Sequence, residues 1–187
     1  QATHDELTGL ANRVHVLDDL AGMLGRNSGS TTVAAILLGI DDFKDINDSL
    51  GHAFGDLLLT SVAERITAML SFGDIAARVG GDEFVIVLER AHGESHVTDL
   101  AEQLLTTIAS PFVVNGRELN ITASAGIVFD HDRTNTGDIL LRNADSSDPS
   151  IEQRVRPRRR DRRGGLDDAN AARRDQRPPL LRQTLSQ

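Results

Sequence analysis

The chain lacks cysteine, tryptophan and tyrosine among its 187 residues, and it has a single lysine, Lys44. The absence of cysteine excludes disulfide bonds and thiolate zinc sites, and it is compatible with a reducing compartment. No apolar run approaches the roughly 18 residues that span a bilayer, so the sequence predicts no membrane segment. No basic segment followed by an apolar one opens the chain, and we therefore expect no signal peptide.

Charge is divided unevenly along the chain. Residues 1–150 carry 9 Lys and Arg against 23 Asp and Glu, a net charge of −14, whereas residues 151–187 carry 11 against 5, a net charge of +6. From this contrast we predict a folded domain over residues 1–145 and an Arg-rich tail over residues 146–187. The tail has few apolar side chains to bury, so we expect disorder. It has no aromatic residue for base stacking, which favours a solvated tail or linker remnant over specific nucleic-acid binding.

Hydrophobic periodicity predicts an α+β sandwich in the acidic part of the chain. Apolar residues at helical spacing follow the candidate N-cap Asn12, and a nearly continuous apolar strand follows at 31–40. Two glycines at 80–81 and the pair at 115–116 predict two hairpins, because tight hairpin turns require positive φ angles. The elements follow the order of a β-α-β-β-α-β sheet of about five strands flanked by helices. A last helix is expected from Thr136.

Two adjacent carboxylates occupy the turn of the first predicted hairpin. The segment RVGGDEF brings Asp82 and Glu83 directly after two glycines and before an apolar strand. On its own this pattern is typical of an exposed turn, where Gly and Asp are favoured for conformational reasons. A second acidic segment, GIDDFKDINDSLGHAFGD, follows the strand at 31–40. If the two strands are antiparallel neighbours, carboxylates from both converge at one edge of the sheet.

Converging carboxylates repel one another unless a cation lies between them. Oxygen ligands without His or Cys favour Mg²⁺ or Mn²⁺ over zinc, and such an ion usually completes its shell with substrate phosphates. Lys44 adds a positive charge for a phosphate. These residues predict a magnesium–nucleotide site for phosphoryl or nucleotidyl transfer. The alternative is an acidic rim that binds no ligand.

Three motifs in this order resemble the GGDEF domains, the diguanylate cyclases: HDELTGLANR at 4–13, DDFKDINDSLGHAFGD at 41–56 and RVGGDEF at 78–84. The resemblance covers about residues 5–145. It implies a five-stranded sheet flanked by helices, similar to the palm of nucleotide cyclases and polymerases. It also implies condensation of two GTP into cyclic di-GMP with release of two pyrophosphates. The reaction needs a homodimer, because each 3′-hydroxyl attacks the α-phosphorus of the GTP on the other subunit.

The resemblance also implies the residues that bind GTP. Asn47 and Asp56 fall where the family recognises the guanine edge. Lys44 falls where a lysine contacts the phosphates. Gly80 and Gly81 form the turn that lets a phosphate approach the backbone.

The metal set is implied in the same way, with one departure. Asp82 falls on the metal-binding carboxylate, Glu83 on the next acid of the catalytic and metal-binding set, and Ile40 where a main-chain carbonyl binds Mg²⁺ or Mn²⁺. The family's other metal-binding Asp is replaced by Gly39, which offers only its carbonyl and should weaken metal binding. Asp41 lies two residues further on the same face of the strand and is the nearest carboxylate that could compensate.

Two further departures concern the C-terminal side and a second ligand site. After NAD at 143–145 the family continues with a helix of the ALYxAK type, whereas this chain reads SSDPSIEQRVR, part of which resembles the linker to an EAL phosphodiesterase domain. The resemblance therefore implies a C-terminally incomplete domain. The family's product-inhibition motif RxxD reads SFGD here, with Ser71 for the arginine and Asp74 retained, so we expect no product inhibition through this site.

Two functions remain open from the sequence. The first is a cytoplasmic diguanylate cyclase of bacterial second-messenger signalling, alone or as the cytoplasmic part of a membrane-attached protein with sensor and EAL domains. The second is a degenerate GGDEF domain that binds GTP or a partner without turnover. The intact hairpin motif favours the first function and Gly39 favours the second.

Overall fold

The structure is a computed structural model that describes residues 3–26, 32–130 and 153–155. Short strands alternate with helices along these residues. The elements in chain order are β1 (Ala11–Asn12), α1 (Arg13–Arg26), β2 (Thr32–Ile40), α2 (Phe43–Leu50), α3 (His52–Thr67), β3 (Ile75–Arg78), β4 (Glu83–Ala91), α4 (Glu94–Ile108), β5 (Phe112–Val114), β6 (Arg117–Leu119), β7 (Ala123–Asp130) and β8 (Gln153–Val155). None of the helices in these ranges is long and apolar enough to cross a membrane.

Strand β2 lies in the middle of a mixed sheet of order β1-β3-β4-β2-β7-β8. It pairs antiparallel with β4 on one side and with β7 on the other. Strand β3 is antiparallel to β4, and the two-residue β1 is parallel to β3 at the edge. The order β2-α2-α3-β3-β4-α4-β7 confirms the predicted β-α-β-β-α-β architecture. Strands β5 and β6 form a separate hairpin.

The sheet is covered on both faces, which explains the apolar sequence of β2. On one face Ile36 and Leu38 pack into a cluster with apolar residues of α3 and α4. On the other face Leu37 packs into a second cluster with Val16 and Leu20 of α1. Burying one side chain of this size contributes about 1.5–3 kcal/mol. A strand with both faces buried needs apolar residues at successive positions, as the sequence predicts.

The cap predicted for α1 is present. The main-chain N–H of His15 donates to Oδ1 of Asn12 at 3.0 Å, so the side chain of Asn12 satisfies a donor that the first turn leaves free. Val16, Leu20 and Met23 are buried along one side of the helix. This confirms the predicted apolar face.

Both predicted hairpins are present, but only one uses its turn residues as predicted. Asn115 and Gly116 have φ angles of 49° and 73°, as a tight turn between β5 and β6 requires. Gly80 and Gly81, between β3 and β4, are not among the described residues with positive φ, so the predicted reason for this Gly pair is wrong. A Cβ at Gly80 would lie 2.6 Å from Oε2 of Glu83, which is the movable end of a flexible side chain.

The far end of α3 is fastened to the end of α4. Arg65 of α3 donates from Nη1 to the carbonyls of Thr107 and Ser110 at 2.9 and 2.6 Å, and from Nη2 to the carbonyl of Pro111 at 2.5 Å. Its guanidinium also lies 3.4 Å from the centroid of the Phe112 ring. One carbonyl of the last turn of α4 and two carbonyls just after the helix thus accept from a cation, which is favourable at a helix C-terminus.

Most of the C-terminal part of the chain lies outside the described residues. The helix predicted from Thr136 is among this part, and so is most of the predicted tail over 146–187. The predicted boundary at residue 145 and the predicted disorder therefore stay predictions. Three residues that we assigned to the tail, Gln153–Val155, instead form β8, which pairs antiparallel with β7.

Candidate functional site

The candidate site lies at the edge of the sheet where β2 ends and β4 and β7 begin. The main-chain N–H of Ile40 donates to the carbonyl of Asp82 at 3.2 Å. One residue earlier, Gly39 is paired across β4 with Glu83 and across β7 with Ser124. The backbones of Asp82 and Glu83 therefore lie beside the end of β2, whereas the convergence of carboxylates from both strands stays a prediction. This backbone arrangement follows from the antiparallel pairing of β2 with β4.

Arg78 holds the turn that carries Asp82. Its Nε and Nη2 donate to the carbonyl of Gly81 at 3.2 and 2.7 Å. Its Nη1 lies 3.2 and 3.3 Å from the two carboxylate oxygens of Asp5. Asp5 Oδ1 also accepts from the main-chain N–H and the hydroxyl of Thr8, at 2.9 and 2.7 Å. Arg78 thus ties the turn to the segment that precedes α1.

We predicted no role for Asp5 or Arg78, although both belong to the motifs that resemble the family. Burial raises the pKa of the Asp5 carboxyl, but the hydrogen bonds from Thr8 and Arg78 and the charge of Arg78 outweigh it. The net effect lowers the pKa below its usual value of 3.8. The contact therefore favours the ionised form, as a carboxylate accepting several hydrogen bonds does.

We expect the Asp5→Asn variant to be less stable than the wild type at pH 7, by about 1 kcal/mol, and the difference to shrink in acid. The folded pKa of Asp5 is depressed, so its carboxylate contributes its full stabilisation above the unfolded value near 3.8 and loses it as the pH falls through the folded pKa. Urea unfolding of both proteins at neutral pH and at several pH values below 4 measures the difference. A difference that does not change with pH would contradict the assignment.

The residues predicted to recognise guanine meet at the corner between α2 and α3. Asn47 of α2 lies against Gly55 of α3, where an added Cβ would overlap Oδ1 of Asn47 and lie 3.2 Å from Cζ of Phe43. Asp56, the next residue, is exposed. Oδ1 of Asn47 is buried and has no hydrogen-bond partner among the described residues. A buried acceptor without a donor costs about 1–3 kcal/mol, so a ligand N–H would be favourable here.

Lys44 lies one helical turn before Asn47 and is exposed. Helix α2 begins after Asp42, which has a left-handed backbone with φ 55° and ψ 26° and makes no side-chain cap. The structure therefore carries Lys44 and Asn47 on one short helix that leaves the end of β2. Their predicted roles toward phosphate and guanine stay predictions.

The predicted metal set contains only oxygen ligands, with one position open. A Cβ built at Gly39 would meet nothing within 4 Å, so there is room for a side chain to begin at this position. Among the residues that the structure describes, no three His, Asp or Glu lie close enough together to hold a metal ion. The carboxylates of Asp82 and Glu83 and the carbonyl of Ile40 fit Mg²⁺ or Mn²⁺ in kind, one carboxylate short.

Asp41, the carboxylate that could compensate, does not fill the open position. Its Oδ2 accepts from the hydroxyl of Thr122 at 2.6 Å, and its Oδ1 accepts from the hydroxyl of Ser124 at 2.8 Å. Both oxygens are thus used on the β7 side of β2, whereas Asp82 and Glu83 lie on the β4 side. The reason is the register of β7, which brings its two hydroxyls beside Asp41.

The SFGD segment, residues 71–74, forms a hydrogen-bonded turn. The main-chain N–H of Ser71 donates to Oδ2 of Asp74 at 3.0 Å, and the main-chain N–H of Asp74 donates to the carbonyl of Ser71 at 3.1 Å. Asp74 thus stabilises this turn. The expected absence of product inhibition stays a prediction.

The fold and the motifs agree with one protein family. The family described as "Diguanylate cyclase, GGDEF domain" matches residues 2–156. The bifunctional diguanylate cyclase/cyclic di-GMP phosphodiesterase MucR of Pseudomonas aeruginosa is 39% identical over 148 residues, which are 78% of this chain and 21% of MucR. The chain thus spans about a fifth of the length of this relative.

Solved structures of GGDEF domains are similar to the chain. The GGDEF domain of TpbB, also called YfiN, from Pseudomonas aeruginosa is 33% identical with a TM-score of 0.72, covering 76% of this chain and 84% of that one. The GGDEF domain of DgcB from Caulobacter crescentus, solved in complex with c-di-GMP, is 31% identical with a TM-score of 0.71, covering 78% and 86%. From the family match and these relatives, the chain belongs to the GGDEF domain family of diguanylate cyclases.

Proposed function

We propose that this domain is a diguanylate cyclase, which condenses two GTP into cyclic di-GMP and releases two pyrophosphates. The observation that carries the proposal is the contact between Ile40 and Asp82 at 3.2 Å. It joins the end of β2 to the acidic hairpin turn at the edge from which α2 departs. Asp82, the glycine turn before it, and the α2–α3 corner with Asn47 and Asp56 are then available to one nucleotide. The relatives named as diguanylate cyclases support the same activity.

GTP is bound from two sides of this edge. Oδ1 of Asn47 accepts an N–H from the guanine edge, and the exposed Asp56 beside it accepts another, which discriminates against adenine because its edge presents different donors. Lys44 pairs with the triphosphate as a point charge. Gly81 leaves the backbone of the turn open to a phosphate oxygen, and a phosphate beside Gly80 would displace the Glu83 side chain.

Mg²⁺ or Mn²⁺ is the proposed cofactor. The carboxylates of Asp82 and Glu83 and the carbonyl of Ile40 would hold it, and a bound ion would activate the attacking 3′-hydroxyl and offset charge at the α-phosphate. Arg78 holds the turn in place through the carbonyl of Gly81. The position of the Asp82 carboxylate therefore depends on Arg78 and Asp5.

The reaction needs two copies of the domain. One site holds one GTP, and the attacking hydroxyl and the attacked phosphorus belong to different nucleotides, so a two-fold dimer must bring two sites face to face. We propose a cytoplasmic homodimer in bacterial second-messenger signalling. Because the curated relatives are longer proteins, sensor and EAL domains in the parent protein are part of the proposal.

Gly39 favours a second candidate function. Without a carboxylate at Gly39, the negative charge that attracts the cation is reduced. The residues proposed to bind guanine, Asn47 and Asp56, are both present. A domain of this kind binds GTP, or a partner domain, and does not turn GTP over. It acts as a regulatory module.

Incubation of the protein with GTP and either Mg²⁺ or Mn²⁺, followed by chromatography, tests the proposal. We expect cyclic di-GMP to form from GTP and no cyclic dinucleotide from ATP. The Asp82→Ala variant is the control for a contaminating enzyme and should form none. Titration with a fluorescent GTP analogue separates the two functions, because binding without product supports the regulatory module. A protein that neither binds the GTP analogue nor forms cyclic di-GMP would refute both GTP-dependent functions.

A further inference from the structure

We infer that Asp41 is a positioning residue of the nucleotide site and not a metal ligand. Its carboxylate anchors the turn between β2 and α2 to β7 and so fixes the helix that carries Lys44 and Asn47. The effect of this anchor on GTP binding rests on the proposed function. The anchor itself is a property of the fold.

Three hydrogen bonds join Asp41 to Ser124 of β7 and to Thr122, which directly precedes this strand. The main-chain N–H of Asp41 donates to the carbonyl of Thr122 at 2.9 Å. The hydroxyls of Thr122 and Ser124 donate to the two carboxylate oxygens at 2.6 and 2.8 Å. Hydroxyl–carboxylate contacts of this length are charge-assisted and among the stronger hydrogen bonds in proteins. Asp41 is therefore held at both its backbone and its side chain.

The turn that follows needs such an anchor. Asp42 has φ 55°, a left-handed conformation that L-residues other than Gly rarely adopt. Its side chain makes no cap for α2. The carbonyl of Asp42 accepts from the main-chain N–H groups of Asp45 and Ile46 at 3.0 and 3.3 Å, which begins the helix. The direction of α2 is thus set at Asp42, in a left-handed conformation that Asp tolerates better than most residues, and the contacts of Asp41 fix the residue directly before it.

The same contacts keep Asp41 away from the hairpin acids. Ser124 and Glu83 flank Gly39 on opposite sides of β2, so their backbones are about two strand spacings, roughly 10 Å, apart. Hydrogen bonds to Thr122 and Ser124 draw the Asp41 carboxylate toward the far strand. This agrees with the absence of a three-residue acidic cluster from the described residues.

Asparagine and alanine variants of Asp41 distinguish the two roles. The side chain introduced by Asp41→Asn would keep both hydroxyl contacts, since its amide accepts from one and donates to the other, but it lacks the charge that a metal ligand needs. We therefore expect Asp41→Asn to bind a fluorescent GTP analogue within about twofold of the wild type. Asp41→Ala, and Thr122→Val with Ser124→Ala, should bind at least fivefold more weakly. The Mg²⁺ concentration at half-maximal binding should be the same in all of them.

Hydrogen exchange measured without nucleotide tests the anchor separately. We expect amides of α2, residues 43–50, to exchange faster in Asp41→Ala and in Ser124→Ala, whereas Asp41→Asn and the control Asp18→Ala, on the exposed side of α1, match the wild type. Ser124→Ala removes one contact and serves if Asp41→Ala fails to fold. Unchanged exchange in Ser124→Ala, or an Asp41→Asn variant as weak as Asp41→Ala with a shifted Mg²⁺ dependence, would overturn the inference. A wild type that binds no GTP refutes the proposed function and leaves the exchange result readable.

Discussion

Replacing Gly39 with aspartate should raise the rate of cyclic di-GMP formation at least tenfold, which corresponds to about 1.4 kcal/mol of transition-state stabilisation. A Cβ at this position meets nothing within 4 Å, and a strand residue with no positive φ accepts a side chain without backbone strain. The new carboxylate would start directly opposite Glu83, its partner on β4. It would complete the oxygen set at the end of β2.

The same substitution should make stability depend on Mg²⁺. Two carboxylates at directly paired positions of antiparallel strands repel each other unless a cation lies between them. We therefore expect Gly39→Asp to melt below the wild type in EDTA and to gain more than the wild type when Mg²⁺ is added, because a bound ion stabilises only the folded state. Thermal unfolding with and without Mg²⁺ measures this change independently of turnover.

Gly39→Asn is the matched control, with nearly the same shape and no charge. It should show neither the increase in rate nor the response to Mg²⁺. If Gly39→Asp and Gly39→Asn behave alike, the position is not a metal-ligand position in this fold. If Gly39→Asp binds Mg²⁺ and still forms no cyclic di-GMP, the regulatory module becomes the better description of the domain.

Replacing Gly55 with alanine should weaken GTP binding at least tenfold. The added Cβ would overlap Oδ1 of Asn47 and press on the ring of Phe43. Gly55 is buried in α3, so Asn47 must move, and a displaced acceptor no longer meets the guanine edge. Losing one hydrogen bond to a matched donor costs about 1–3 kcal/mol, which is the basis of the expected change.

The direction of the stability change in the Gly55→Ala variant tests the overlap with Asn47. Alanine in place of glycine inside a helix normally stabilises by about 1 kcal/mol, so a loss of stability in Gly55→Ala would report the overlap with Asn47. Removing the opposing side chain should relieve that overlap. Gly55→Ala should therefore be less harmful to stability in an Asn47→Ala background, a coupling that a double-mutant cycle measures. Equal effects in both backgrounds would show that Gly55 is not there to accommodate Asn47.

Much of the fold follows from local sequence. The apolar run of β2 predicts a strand buried on both faces, and the pattern after Asn12 predicts a capped amphipathic helix. Both are present because a single segment determines them, through propensity and the spacing of apolar residues. The meeting of Ile40 with Asp82 also followed, once β2 and the hairpin strand were taken as antiparallel neighbours.

Contacts between distant segments could not be predicted in this way. Asp41 meets Ser124 across 83 positions and Arg78 meets Asp5 across 73. Which side chains become neighbours depends on the register of β7 and on the path before α1, and no local pattern encodes either. The predicted positive φ angles at Gly80 and Gly81 failed for a local reason, because the turn between β3 and β4 does not use that conformation.

The contacts of Arg65 also support the corner between α2 and α3. Gly55 and Arg65 stand on the same helix, ten positions or about 15 Å apart along its axis, and the distal end is clamped to three carbonyls and an aromatic ring. The α3 side of the candidate site is therefore held at its distal end, and the α2 side is held at Asp41 by Thr122 and Ser124. The two helices that meet at Asn47 and Gly55 are each supported by residues distant in the chain.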